Sequence, residues 1–315
     1  MTVGIAATGP NAGAGVLAGL RATEAIGQGA IGGFVSLAVL TKDQQLFRSE
    51  TQTDGASGLL QKELPENMLG APFAALISSG PNRPVPLAQF VAAKPGVGLV
   101  TGHRFPQIPA DDGIPLNAHV LAAMERGQSP QMAIDAVVDR FPDHDAGFVA
   151  LSIDGTIAAG NMPAVLLRRD HGCSSRTLQS PPVSVATIHN AIHPIRVLAD
   201  MINDIVLEEM LRPPAAEHWI TASQGIRLIR GQRAEIHINR DEEVVQILHP
   251  QAMQHPDPVP FGLGDQVRII LNGRDIGWLG YEPFMIVKDG VIMTMDGKPS
   301  LKLPILSELG IDRKS

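Results

Sequence analysis

The chain has 315 residues and a formal net charge of −7, with 25 Lys and Arg against 32 Asp and Glu. That balance argues against a general nucleic-acid binder, whose affinity comes from basic side chains meeting phosphates, and no Lys/Arg run is dense enough for a polybasic membrane patch. Hydrophobic residues make up 44% and charged residues 18%, a globular composition, and the single cysteine, Cys173, excludes an intrachain disulfide.

The length allows roughly two domains of about 150 residues. Aromatics are only 4%, so the core must come from Ala, Val, Ile and Leu. No apolar stretch of about 20 residues and no secretory leader pattern is visible, so the expectation is a cytoplasmic protein without a membrane partner.

In chain order, residues 3–7 read as a strand, and Thr8-Gly9-Pro10-Asn11 opens a helix over residues 12–26 with Asn11 as its expected N-cap. Glycines at 13, 15 and 19 imply close packing or close approach of a ligand. Residues 34–40 and 46–51 form an expected hairpin, followed by a polar loop at 53–58 and an apolar stretch at 69–78. Residues 85–93 read as a short helix and 98–103 as a strand. Residues 116–126 and 129–140 read as amphipathic helices, the second with Pro130 at its first position. Residues 147–153 and 156–159 form a hairpin around Asp154-Gly155.

Ser180-Pro181-Pro182 reads as a domain boundary. Beyond it comes a helix over 194–211, followed by Pro213-Pro214, and then a small β-rich unit. Its expected strands are 226–229, 233–238, 243–248, 267–271, 284–287 and 291–295, with Asn272-Gly273 and Asp289-Gly290 as hairpin turns.

The chain nearly repeats itself. Thr8-Gly9-Pro10-Asn11 returns as Ser79-Gly80-Pro81-Asn82, and Gly33-Phe34-Val35-Ser36 returns as Gly98-Leu99-Val100-Thr101 and Gly147-Phe148-Val149-Ala150. Such recurrence points to one helix-plus-strand unit reused in a layered α/β domain. Ser36 and Thr101 carry a hydroxyl where Ala150 does not.

Six places could carry chemistry. The two Gly-Pro-Asn turns could hold an anion or oxyanion through Asn11, Asn82 and backbone N–H groups, or Asn11 and Asn82 could simply cap helices. Thr101-Gly102-His103-Arg104 joins a hydroxyl, a candidate base and a candidate carboxylate anchor at a strand end. The plain alternative there is a salt-bridged surface arginine. Asp143-His144-Asp145 is rich in acid–base groups, yet also reads as an exposed loop. Cys173 lies two residues after His171, which admits a thiolate nucleophile or an inert cysteine. His189 and His193 would share a helix face if the helix started early, but no metal-ligand spacing accompanies them. Finally, loss of Met1 would leave Thr2 with an α-amine able to act as base for its own hydroxyl, although many ordinary chains also begin Met-Thr.

Residues 144–160, which run His-Asp-Ala-Gly-Phe-Val-Ala-Leu-Ser-Ile-Asp-Gly-Thr-Ile-Ala-Ala-Gly, are similar to the strand-turn-strand of the glycosylasparaginase and isoaspartyl-peptidase group. Those enzymes are N-terminal-nucleophile (Ntn) hydrolases, in which a His/Gly-Asp-Thr stretch supplies a threonine nucleophile after self-cleavage. Residues 4–161 more broadly resemble bacterial proteins of Ntn-like αββα layout. The chain departs from the group at the decisive point. Asp145-Ala146 stands where the threonine belongs, and alanine cannot attack. The resemblance implies the fold and amide hydrolysis, and its departure leaves two alternatives: the nucleophile has moved, to Thr2 or Thr101 for example, or the scaffold no longer does this reaction.

These readings give a layered α/β expectation: an αββα Ntn-like sandwich over residues 1–180 and a smaller helix-plus-β domain over 181–315. The expected activity is hydrolysis of a small amide or related C–N bond. Thr101, Thr2, His103 and His144 would be catalytic, Arg104, Asn11, Asn82 and Ser36 would bind substrate, and neither metal nor cofactor would take part. The rival expectation is a non-catalytic metabolite-binding or homo-oligomeric assembly protein.

Overall fold

The computed structural model describes residues 1–211, 218–264 and 267–306. The chain divides into two compact units, Met1–Arg212 and Pro213–Ser315. The first begins β1 (Thr2–Thr8), α1 (Ala12–Ile26), β2 (Val35–Leu40), β3 (Leu46–Thr51), α2 (Gly55–Leu60), α3 (Glu66–Leu69) and β4 (Phe73–Ser79). It continues β5 (Ala92–Lys94), β6 (Gly98–Arg104), α4 (Leu116–Glu125), α5 (Pro130–Arg140), β7 (Ala146–Ser152) and β8 (Ile157–Asn161). It ends α6 (Pro163–Leu166), β9 (His171–Gln179), β10 (Pro182–Asn190) and α7 (Leu198–Met210).

Among the described residues this unit is a mixed α and β body with two antiparallel sheets, ordered β3-β2-β4-β1-β10-β9 and β5-β6-β7-β8. Side chains alternate across each strand, and the three cores of the unit follow from that. Val3, Ile5, Leu37, Leu76 and Val185 face α1 and α7, meeting Val16, Leu20, Ile202 and Val206. Ala6, Ala38, Ile77 and Ile188 face the second sheet, meeting Leu99, Val149 and Leu151. Val100, Phe148 and Ala150 on the far face of that sheet meet Leu116, Val120, Ile134 and Val137 of α4 and α5.

Small residues set how closely these layers approach. A Cβ on Gly4 would lie 2.4 Å from the Gly102 carbonyl oxygen, so the backbones of β1 and β6 touch only because neither position has a side chain. The α1 glycines are explained by packing: a Cβ on Gly15 would lie 2.6 Å from Met210 Cγ, and one on Gly19 2.6 Å from Val206 Cγ2. The start of α5 forms as its sequence specifies, with Pro130 in the first turn and Ser129 Oγ accepting the Met132 N–H at 3.3 Å.

The boundary expected near residue 180 is corrected. Ser180-Pro181 is the turn of the β9–β10 hairpin, and β10 lies within the larger sheet between β1 and β9. The breaker residues bend the chain without ending the unit. The division falls at Arg212/Pro213, after α7 has packed on α1. The polar loop expected at 53–58 contains the short α2, and the helix expected at 85–93 is one 3-10 turn, Leu87–Phe90, leading into β5. Pro213-Pro214 lie outside the described residues.

The second unit contains β11 (His218–Ser223), β12 (Arg227–Arg230), β13 (Glu235–Ile238), β14 (Val244–His249) and β15 (Val259–Phe261). It continues β16 (Arg268–Leu271), β17 (Arg274–Leu279), β18 (Met285–Lys288), β19 (Val291–Met295) and β20 (Ser300–Leu306). Among the described residues these form one curled sheet, ordered β11-β20-β17-β16-β13-β14-β12-β19-β18-β15. The curl brings β11 back to β14 through the Thr221–Glu243 bridge, around a core that includes Ile236, Ile269, Met285 and Ile292. Asn272-Gly273 and Asp289-Gly290 both have positive φ, 52° and 79°, then 51° and 73°, and join β16 to β17 and β18 to β19 as expected. The sequence pattern does not predict strands β5, β9, β10, β11, β15, β17 and β20. Among the described residues no helix is long and apolar enough to cross a membrane.

Candidate functional site

The site is built from strand ends. On β1, Gly4 and Ala6 face the second sheet, so Thr2 faces the same gap, and it is 7% exposed. Its ladder partners are Ser79 on β4 and Asn190 on β10. Both lie in phase with residues of the inter-sheet core, Ile77 and Ile188, and so face the gap beside Thr2.

The second sheet supplies the opposite wall. His103 follows Leu99 and Thr101 on the inward face of β6 and is fully buried. Its ring crosses Gly147 to reach Asn161 on β8, with 2.7 Å between His103 Nε2 and Asn161 Oδ1. A Cβ on Gly147 would lie 2.3 Å from His103 Nε2 and 2.1 Å from Asn161 Oδ1, so the bare glycine makes the pairing possible. Burial lowers the His103 pKa to about 4, against the opposing effect of the Asn161 hydrogen bond, so the ring is neutral near pH 7. In that state Nε2–H donates to Asn161 Oδ1, and the Asn161 NH2 group is left to donate elsewhere.

Buried polar atoms without partners gather here. Both amide atoms of Asn190, His103 Nδ1 and His171 Nδ1 make no hydrogen bond among the described residues. His171 pairs with Asn190 in the β9–β10 ladder. Each unpartnered buried group costs roughly 1–3 kcal/mol, so this polar cluster calls for partners from outside the protein, water or a ligand.

Three guanidinium groups surround the chain start. Arg104 Nε lies 3.0 Å from both Asp145 oxygens, and its Nη2 also binds that carboxylate. Arg168 is bidentate on Asp170, at 2.8 and 2.6 Å. Arg83 Nη2 donates to Ser79 Oγ at 2.5 Å. Burial, followed by the charges of Arg104 and Arg83, lowers the pKa of the Met1 amine. The Met1 carbonyl accepts the Ser79 hydroxyl.

Several expected site residues lie elsewhere or are already engaged. Thr101 is fully buried in the inter-sheet core and donates its hydroxyl to the Leu76 carbonyl at 2.8 Å, so it is not poised as a nucleophile. Arg104 does share the Thr2 end, but Asp145 already neutralises it, against its role as a substrate anchor. His144 packs edge-on against Phe141 at 6.1 Å in the turn before β7, and Asp143 is exposed. Ser36 lies two strands from β1 and meets Glu50 at 3.4 Å.

Asn11 is not a side-chain cap. It has φ 57° and donates to the Met210 carbonyl at 3.4 Å. Asn82 is exposed on a turn, also with positive φ, and heads no long helix. Because β1 and β4 are antiparallel, the two Gly-Pro-Asn turns leave opposite ends of the sheet and cannot converge on one oxyanion.

Cys173 is exposed on β9, and desolvation raises its thiol pKa, the opposite of activation. His189 lies in β10 and His193 beyond it, before α7, so they share no helix face. Among the described residues no three His, Cys, Asp or Glu side chains are placed to hold a metal ion. Asn161 and Asn190 carried no motif signal. Only strand phase and register bring them to Thr2 and His103.

The first unit is thus a two-sheet α and β body with a polar gap at one end of its sheet pair. The chain belongs to the family described as a domain of unknown function (DUF6963), whose model matches residues 2–219. Residues 225–300 match a second family model, also described as a domain of unknown function (DUF7259). No curated protein matches the chain.

Proposed function

We propose that the first unit is an αββα Ntn-like sandwich that hydrolyses a small amide or related C–N bond, with Thr2 as an N-terminal nucleophile. The observation that carries this reading is the position of Thr2. It opens the central strand β1 between Ser79 and Asn190 and faces the wall that bears His103 and Asn161. Among the described residues no hydrogen bond holds its hydroxyl, in contrast to that of Thr101.

The chemistry needs Met1 to be released first. The Thr2 amine then takes the proton of its own Oγ as Oγ attacks the amide carbon. The carbonyl oxygen gains charge and meets the amide N–H groups of Asn190 and Asn161. The C–N bond breaks as the amine passes its proton to the leaving nitrogen, and water then hydrolyses the ester on Thr2. His103 acts as a positioning residue, because as a neutral donor it fixes the Asn161 amide. Burial, and then the charges of Arg104 and Arg83, lower the pKa of the Met1 amine next door, and the same surroundings would favour the neutral, proton-accepting form of the Thr2 amine.

The test is ammonia release from a panel of small amides by a chain freed from a fusion so that it begins at Thr2. Release is expected from that chain and lost in Thr2→Ala and His103→Ala variants that remain folded. Full activity of either variant would overturn the assignment. Unchanged ligand that nonetheless stabilises the protein would favour the non-catalytic binding reading.

A further inference from the structure

Strand β9 closes the larger sheet at one edge, beside β10. It is nine residues long, His171–Gln179, and its register with β10 runs unbroken over all nine. Apart from that ladder, no backbone group of residues 171–179 makes a hydrogen bond among the described residues. An antiparallel strand offers backbone N–H and C=O groups to both of its sides, so β9 presents a row of unpaired donors and acceptors along its outer edge. Ser175, Arg176, Thr177, Leu178 and Gln179 are exposed along it.

Edge strands are commonly blunted by Lys, Pro, a bulge, a covering segment or short length. Residues 171–179 contain neither Lys nor Pro, and no bulge interrupts them. The other edges of the unit are treated differently. On β3, Lys62 donates to the Glu50 carbonyl, and Arg48 ties the strand to the Ala88 and Val91 carbonyls. Strand β5 has only three residues and β8 five. One face of β9 is held by α7, where Ser174 Oγ donates to Asp200 at 2.6 Å and Arg176 reaches Asp200 at 3.2 Å and Asp204 at 3.7 Å.

We propose that β9 pairs antiparallel with β9 of a second copy of this chain, about a two-fold axis at Ser175, so that two six-stranded sheets become one. The register follows from length and charge. Ser175 is the middle of the nine residues, so an axis there pairs all of them and sets Arg176 opposite Ser174 of the second copy. At that position Arg176 meets the Asp200 carboxylate that Ser174 binds. In each chain Asp200 and Asp204 share one guanidinium, which leaves acceptor oxygens for another. An axis shifted to Arg176 would instead set two guanidiniums face to face, and like charges directly opposite destabilise a strand pair. The edge is thus self-complementary, which identifies its occupant as a second copy, and a two-fold contact of this kind closes at two chains. The pairing does not depend on the hydrolase reading.

The test is the mass of the full chain in solution, measured by light scattering at micromolar concentration under reducing conditions. Twice the 33.4 kDa of one chain is expected. Ser175→Lys sets two ammonium groups face to face on the axis and is expected to weaken the dimer roughly 100-fold or more. Cross-linking locates the axis without relying on that variant. In a Cys173→Ser chain, a short bismaleimide is expected to join two copies through Ser175→Cys. It should not join them through Gln179→Cys, whose two copies lie eight residues apart along the paired strands, about 26 Å at 3.3 Å per residue. A monomer at every concentration, a dimer indifferent to Ser175→Lys, or equal cross-linking at positions 175 and 179 would overturn the proposal.

Discussion

The two ends of the β1–β4 pair carry almost the same four residues and do different work. At one end Thr8-Gly9-Pro10-Asn11 turns the chain into α1. Gly9 has φ 125° and a Cβ there would lie 2.5 Å from Val183 Cγ1, while Asn11 ties to the Met210 carbonyl of α7. At the other end Ser79-Gly80-Pro81-Asn82 borders a polar gap, where Ser79 holds the Met1 carbonyl and Arg83, and Thr2 lies on the β1 face turned to the second sheet. Seven residues of β1 separate them, roughly 20 Å at 3.3 Å per residue. A repeated phrase thus shows a repeated turn. Whether chemistry gathers there depends on which strands end beside it.

The largest effect should fall on two threonines at these two ends. Thr2→Ala is expected to lower kcat/KM for amide hydrolysis at least 10³-fold in a chain that begins at residue 2, and Thr8→Ala to leave it unchanged. Equal losses would erase the distinction between the ends.

Two glycines sharpen it. Gly147→Ala forces a carbon against His103 and Asn161, so turnover per folded molecule should collapse, with about 1–3 kcal/mol of stability lost on denaturant titration. Gly9→Ala should lose comparable stability because of its positive φ and its contact with Val183, yet keep full turnover per folded molecule.

Acid stability comes next. His103 and His189 have folded pKa values lowered by burial to about 4 from 6.5. The unfolded chain therefore takes up protons first. Their stability is complete above pH 6.5 and is lost as the pH falls towards 4, by about 3 kcal/mol for each histidine. Urea titration between pH 7 and 4.5 should show this slope, and His189→Leu should flatten it by about half. An unchanged slope in that variant would contradict the assignment. The smallest effect is expected from Ser129→Ala, which removes the α5 cap for about 1 kcal/mol and leaves turnover alone.

Much of the fold was legible. The helix at Ala12–Ile26 and the β2–β3 hairpin follow from apolar period and turn residues, and Pro130 marks the start of α5. Strand β9 was hidden because it is an edge strand, mostly polar from Ser174 to Gln179, with no alternating apolar pattern. With β9 unread, the Ser180-Pro181-Pro182 turn looked like a boundary. In the site, Thr2 and His103 were legible as chemistry-bearing residue types at strand ends. Thr101 misled, since the alternation that puts it on the face of His103 also buries it against Leu76. Asn161 and Asn190 needed the antiparallel order of β10-β1 and β7-β8, which no local pattern encodes.

The central claim is that Thr2 becomes the nucleophile once Met1 has gone. Its most direct test needs no knowledge of the substrate: treat chains that begin at Thr2 and at Met1 with an acylating β-lactone and locate the added mass by peptide mapping. The account predicts one equivalent on Thr2 in the first chain and none in the second. Label on Cys173 or Thr101, or equal labelling of both chains, would contradict it.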